Sequence, residues 1–153
     1  MRAKLAMVFA LLLFSTVPAV ATPIEISAMN VKPIELKQIA SSARIVALAN
    51  GSAEIVSALG LRKALVGRDI ASTTPELSSI PIVTSGHQVI AEKVISLKPS
   101  LVLIDANTGP KNAIDSIKAA RINVVSVSEA WNLKDIYTKV DQIGKAIGLK
   151  QEA

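Results

Sequence analysis

The 153-residue chain contains no cysteine, so it has neither disulfides nor thiolate metal ligands to draw on. Aromatic residues make up only 3% of it, and its basic residues form no run. That argues against a nucleic-acid surface, which needs basic stripes interleaved with stacking rings. There is one histidine, His87, a poor supply for a multi-ligand hydrolytic metal site. No G-x-S-x-G elbow, P-loop or glycine-rich dinucleotide fingerprint occurs, which removes the enzyme classes built on them. No catalytic residue and no catalytic cofactor is therefore assigned.

What is present begins with a leader. Arg2 and Lys4 precede the apolar stretch Leu5–Phe14, which is too short to span a bilayer as a mature helix. Pro18 breaks it, and Ala19-Val20-Ala21 supplies small residues for a signal peptidase. Residues 1–21 are read as a secretory signal peptide cleaved after Ala21. Without cysteine no lipid can be attached at a mature N-terminal thiol, so a protein free in a periplasm, with no stable membrane insertion, is expected. The net charge is +5, and the leader's two basic residues leave +3 for the remainder. That mild basicity hints at an anionic ligand, and the remaining length suits one domain.

Residues 22–43 are the least informative, because Pro23 and Pro33 argue against long regular structure; an edge strand or a mobile arm is expected. From Arg44 a regular alternation begins. Arg44–Leu48, Ala64–Gly67, Leu101–Ile104 and Val124–Val127 are short apolar runs of the kind buried on both faces of a sheet. Between them lie amphipathic segments: Ala53–Leu59 with Ser52 as N-cap and Gly60 as terminator, Ile90–Leu97 stopped by Lys98-Pro99, and Lys111–Arg121. Asn132–Gly148 has helical spacing, but Leu149–Ala153 gives its apolar face nothing further to lie on, which suggests a fragment or a truncation. The pattern predicts an α/β fold, a Rossmann-like parallel sheet with helices on both faces. Ligands of such sheets meet the loops beyond the carboxyl ends of the strands. Those loops are Asn50–Ser52, Arg68–Thr74, Ser85–Val89 and Asp105–Pro110, and His87 falls among them.

The runs RIVALANGSAEIVSALG, LVGRDIAST, SGHQVIAEKVISLKPSLVLID and INVVSVSEAWNLKDIYTKVDQIGKAIG, in that order, resemble the N-terminal lobe of periplasmic binding proteins of iron–siderophore, cobalamin and haem ABC importers. The resemblance runs from about Arg44 to the end of the chain and is strongest to the haem-binding branch. It implies a fold of two α/β lobes joined by a long helix with the ligand between them. Residues 44–131 would be the N-terminal lobe and residues 132–153 the start of the linking helix, the second lobe being absent.

The same resemblance implies roles for individual residues. Gly86-His87-Gln88 falls where the haem branch places an axial ligand, so His87 would bind haem iron, and an unprotonated imidazole suits that chemistry. Arg68 would pair with a haem propionate, since a guanidinium fork matches a carboxylate. Asn107 and Thr108 would line the pocket. Glu92 would dock on the permease subunits of the importer. Trp131 and Tyr137 are read as packing residues of the terminal helix. The function implied is haem delivery to an inner-membrane ABC importer, without catalysis. A ferric siderophore or a corrinoid is the alternative cargo, and a non-functional single lobe the alternative status.

Overall fold

The computed structural model describes residues 33–149; the leader, and the expectation attached to it, lie outside that range. The described part opens with helix α1 (Pro33–Ser42), where an edge strand or arm was expected. Pro33 is the reason for the difference. A proline at the first helical position loses no hydrogen bond, because that N–H has no intrahelical partner anyway, and its fixed φ suits the turn.

Strand β1 (Ile45–Ala47) follows, then α2 (Ser52–Val56) and β2 (Leu65–Arg68). Gly51, with φ 71°, occupies the N-cap of α2, a left-handed conformation that suits glycine. Ser52 does not cap: its hydroxyl donates back to the Ala49 carbonyl at 2.6 Å, and it is buried. Beyond α2 a wider turn, Ser57–Leu61, contains Gly60 at φ 81°, the terminator expected. The stretch that carries His87 is a hairpin rather than an open loop. Strands β3 (Thr84–Ser85) and β4 (Gln88–Val89) pair antiparallel, with Gly86 and His87 as the two-residue turn. Gly86 has φ 56°, the positive value that such tight hairpin turns demand at their first position.

Helix α3 (Ala91–Ser96), β5 (Leu101–Ile104), α4 (Lys111–Ala119), β6 (Asn123–Ser126) and α5 (Leu133–Ala146) complete the order. The end of α3 is fastened by Arg44, whose guanidinium Nη2 donates to the Leu97 carbonyl at 2.7 Å. The four long strands form one sheet in the order β2-β1-β5-β6, every neighbour parallel.

Alternation along the strands divides the core in two. Ile45, Ala47, Leu65, Leu101 and Leu103 point to the side covered by α1, α2 and α5, with Ile55, Val140, Ile143 and Ile147 packed on them. Val46, Leu48 and Val102 point to the other side, against Val94 of α3 and Ile114 and Ile117 of α4. The two inner strands, β1 and β5, are buried on both faces, as their uninterrupted apolar runs require. The terminal helix therefore does find a surface: its second half lies in the first core. Its first half does not, and Leu133 and Tyr137 are exposed. Among the described residues no helix is long and apolar enough to cross a membrane.

Candidate ligand-binding cleft

In this strand order the chain steps outward from β1 to β2 and then returns to the other side of β1 for β5. The loops leaving β1 and β5 therefore part in opposite directions, and a crevice opens beyond the carboxyl ends of the two strands. Asp105 sits directly after β5 and is buried. Its Oδ2 accepts the Asn50 N–H at 2.9 Å, and its Oδ1 accepts the Asn107 N–H at 3.2 Å and the Thr108 hydroxyl at 2.8 Å. One carboxylate thus ties the loop after β1 to the loop after β5.

Lys139 enters the same point from α5. Only 3% of it is exposed; Nζ donates to the Asn50 carbonyl at 2.7 Å and lies 3.9 Å from Asp105 Oδ2. Burial lowers its pKa below 10.5, and the nearby charges of Asp105 and Glu129 oppose that shift without cancelling it.

Around this floor lies a cleft of about 570 Å³. All four of the loops singled out by the strand pattern contribute: Asn50 and Gly51, Asp69 and Ala71, His87 and Val89, and Asp105 with Asn107 and Thr108. A fifth segment, Glu129–Trp131 after β6, closes the remaining side with Ile136 and Lys139 of α5. His87 is exposed at the hairpin tip. The hairpin is held from both sides, Thr84 Oγ1 accepting the Ile70 N–H at 3.0 Å and the Val89 N–H donating to the Gly109 carbonyl at 2.8 Å. The imidazole is therefore presented at the cleft by an anchored element.

Three expectations need correction. Arg68 does not reach the cleft. It is buried, and its Nε donates to the carbonyls of Leu77 and Ile80 at 3.0 and 3.1 Å, its Nη1 to that of Ser72 at 2.7 Å. It holds the turn after β2 in shape through those carbonyls and does not line the cleft. Trp131 is not a packing residue: it is 82% exposed and lines the cleft. Tyr137 is likewise exposed rather than packed. Gly86 shapes the hairpin turn without lining the cleft, and Glu92 is exposed in the first turn of α3. Asp105, Glu129 and Lys139 were missed. Lys139 has a detectable signal, since it falls within the apolar stripe of α5 between Ile136 and Ile143 at helical spacing.

The comparisons with known proteins bear on this geometry. A family model described as periplasmic binding protein matches residues 45–153. The chain belongs to that family. Among its relatives is an uncharacterised ABC transporter substrate-binding lipoprotein, YvrC of Bacillus subtilis (strain 168), 35% identical over 112 residues, which are 72% of this chain and 36% of the relative. The crystal structure of the heme binding protein HmuT superposes with a TM-score of 0.66 at 34% identity, covering 70% of this chain and 36% of that one. The periplasmic heme-binding protein RhuT from Roseiflexus sp. RS-1, in apo form, gives 0.65 at 31% identity, with 71% and 42% covered. This periplasmic binding protein thus spans about a third to two fifths of the length of these relatives, and its α/β unit has the fold of one binding-protein lobe.

Proposed function

We propose that this chain binds haem outside the cytoplasmic membrane and presents it to the permease subunits of an ABC importer, without catalysing a reaction. One observation carries the reading: the chain's single imidazole stands exposed on an anchored hairpin at a cleft formed where the sheet order reverses. A volume of about 570 Å³ lies within the ordinary range for small-molecule sites. The similarity to solved proteins named as heme-binding, at 31% and 34% identity, supports the choice of cargo.

In this reading an unprotonated nitrogen of His87 ligates the haem iron. Gly86 lets the hairpin turn tightly enough to project it. Asn107 lines the pocket beside Thr108, and Glu92 meets the permease. With Arg68 occupied internally, no guanidinium is assigned to the propionates. Residues 1–21 direct the chain to the periplasm and are then removed.

The test is a haemin titration of the purified chain followed by visible absorbance, beside His87→Ala. The expected result is a saturable Soret shift in the natural chain that the variant loses. Equal shifts in both proteins would mean adsorption without ligation and would overturn the His87 assignment.

A further inference from the structure

The chain is almost devoid of large rings, and where the few lie is informative. Both phenylalanines, Phe9 and Phe14, fall in the leader. The remaining two, Trp131 and Tyr137, lie just before and within the first half of α5, and both are exposed. Large aromatic surface is costly to leave in water, because it forgoes burial worth far more than that of a smaller side chain. Trp131 also lines the cleft.

Its placement is fixed by polar contacts. The indole Nε1–H donates to Glu129 Oε2 at 3.0 Å, and the other oxygen of the same carboxylate accepts from Asn107 Nδ2. The Trp131 backbone N–H donates to Asp135 Oδ2 at 3.0 Å. The Asp135 N–H in turn donates to the capping side chain of Asn132 at 3.1 Å. Glu129 therefore ties the loop after β6, which carries Trp131, to the loop after β5, and it satisfies the one polar atom of the indole. What the side chain still has to offer is its apolar faces.

We infer that Trp131 is a stacking residue of the cleft, its indole held by Glu129 to receive the flat apolar face of a conjugated macrocycle. The inference rests on the haem reading and deepens it: His87 would hold the metal, and Trp131 would select for planarity regardless of metal. The residue acts through dispersion and ring–ring contact, so a phenyl ring should substitute for most of its effect and a methyl group should not.

The experiment compares the full natural chain with Trp131→Ala and Trp131→Phe. Each is titrated with haemin and with metal-free protoporphyrin IX, followed by the absorbance of the macrocycle. Quenching of indole fluorescence would be ambiguous, because energy transfer reaches well beyond contact. Circular dichroism serves as the folding control, and an exposed position leaves the core intact. Trp131→Ala is expected to weaken binding of both macrocycles by up to about ten-fold, the scale of one aromatic pair. Trp131→Phe should stay within about three-fold of the natural chain, since it keeps most of that contact. The saturated Soret position with haemin should not move, because His87 is untouched. Equal affinities in the natural chain and Trp131→Ala, or no binding of metal-free protoporphyrin IX by the natural chain, would overturn the inference. The haem reading fails separately, when haemin gives no Soret shift that His87→Ala abolishes. In that event the metal-free macrocycle alone still decides on Trp131.

Discussion

Lys139 carries an ammonium group into the floor of the cleft, where it meets one carbonyl at hydrogen-bond distance and one carboxylate at 3.9 Å. Desolvation of that charge outweighs the attraction of Asp105 and Glu129, so the folded chain holds the proton less tightly than the unfolded one. Linkage then fixes the sign. Between the lowered folded pKa and 10.5 the unfolded state binds more protons at this group, so its contribution to stability rises with pH. The stability difference between the natural chain and Lys139→Met should therefore shift in favour of the natural chain as pH rises through the alkaline range towards 10.5, in urea unfolding at several pH values. A difference that is flat or falls with pH would contradict the assignment. The residue was legible in principle as a charge inside an apolar stripe. Arg68 was not: the carbonyls that occupy it come from turns at 72, 77 and 80, whose meeting no local pattern announces.

At the scale of elements, β2 shows how closely the second core is packed. Gly67 pairs with Val46 across a register irregularity that begins after Ile45. A methyl group at Gly67 would come within 2.9 Å of Leu97 Cδ1, 3.1 Å of Val83 Cγ1 and 3.2 Å of Val46 Cγ2. Gly67→Ala is expected to lower the unfolding free energy by about 1–3 kcal/mol, the usual cost of overpacking, measured by urea denaturation. An unchanged midpoint would mean that β2 and α3 separate more freely than their packing implies. β1 and β5 were readable because each is an unbroken apolar run buried on both faces, and the shorter apolar stretches of β2 and β6 continued the same alternation. The β3–β4 hairpin was not, since each strand has two residues and its stability comes from contacts with the loops after β2 and β5. Helix α1 was hidden by its opening proline. Spacing marked an apolar face on α5 but not how much of it the domain covers; the structure buries Val140 and Ile143 and leaves Leu133 and Tyr137 outside.

For the whole molecule, the position of the cleft follows from strand order, and strand order is where alternation of elements becomes geometry. The sequence pattern placed four loops at one end of the sheet, and the structure gathers all four around one cavity. The pattern did not identify which pair of strands the chain parts between, and so Asp105 was placed in a ligand loop without its part in tying that loop to the one after β1. The fifth wall, Glu129–Trp131, escaped because a lone tryptophan before a helix looks like core. The central claim is that this end of the sheet, and no other surface, receives the ligand. Hydrogen–deuterium exchange with and without haemin tests it most directly. The account predicts added protection at Asn50–Gly51, Gly86–Val89, Asn107–Thr108 and Glu129–Trp131. The turns at the opposite end, Lys98–Ser100 and Arg121–Ile122, should not change. Protection at those opposite turns, or none at the four cleft segments under saturating haemin, would contradict it.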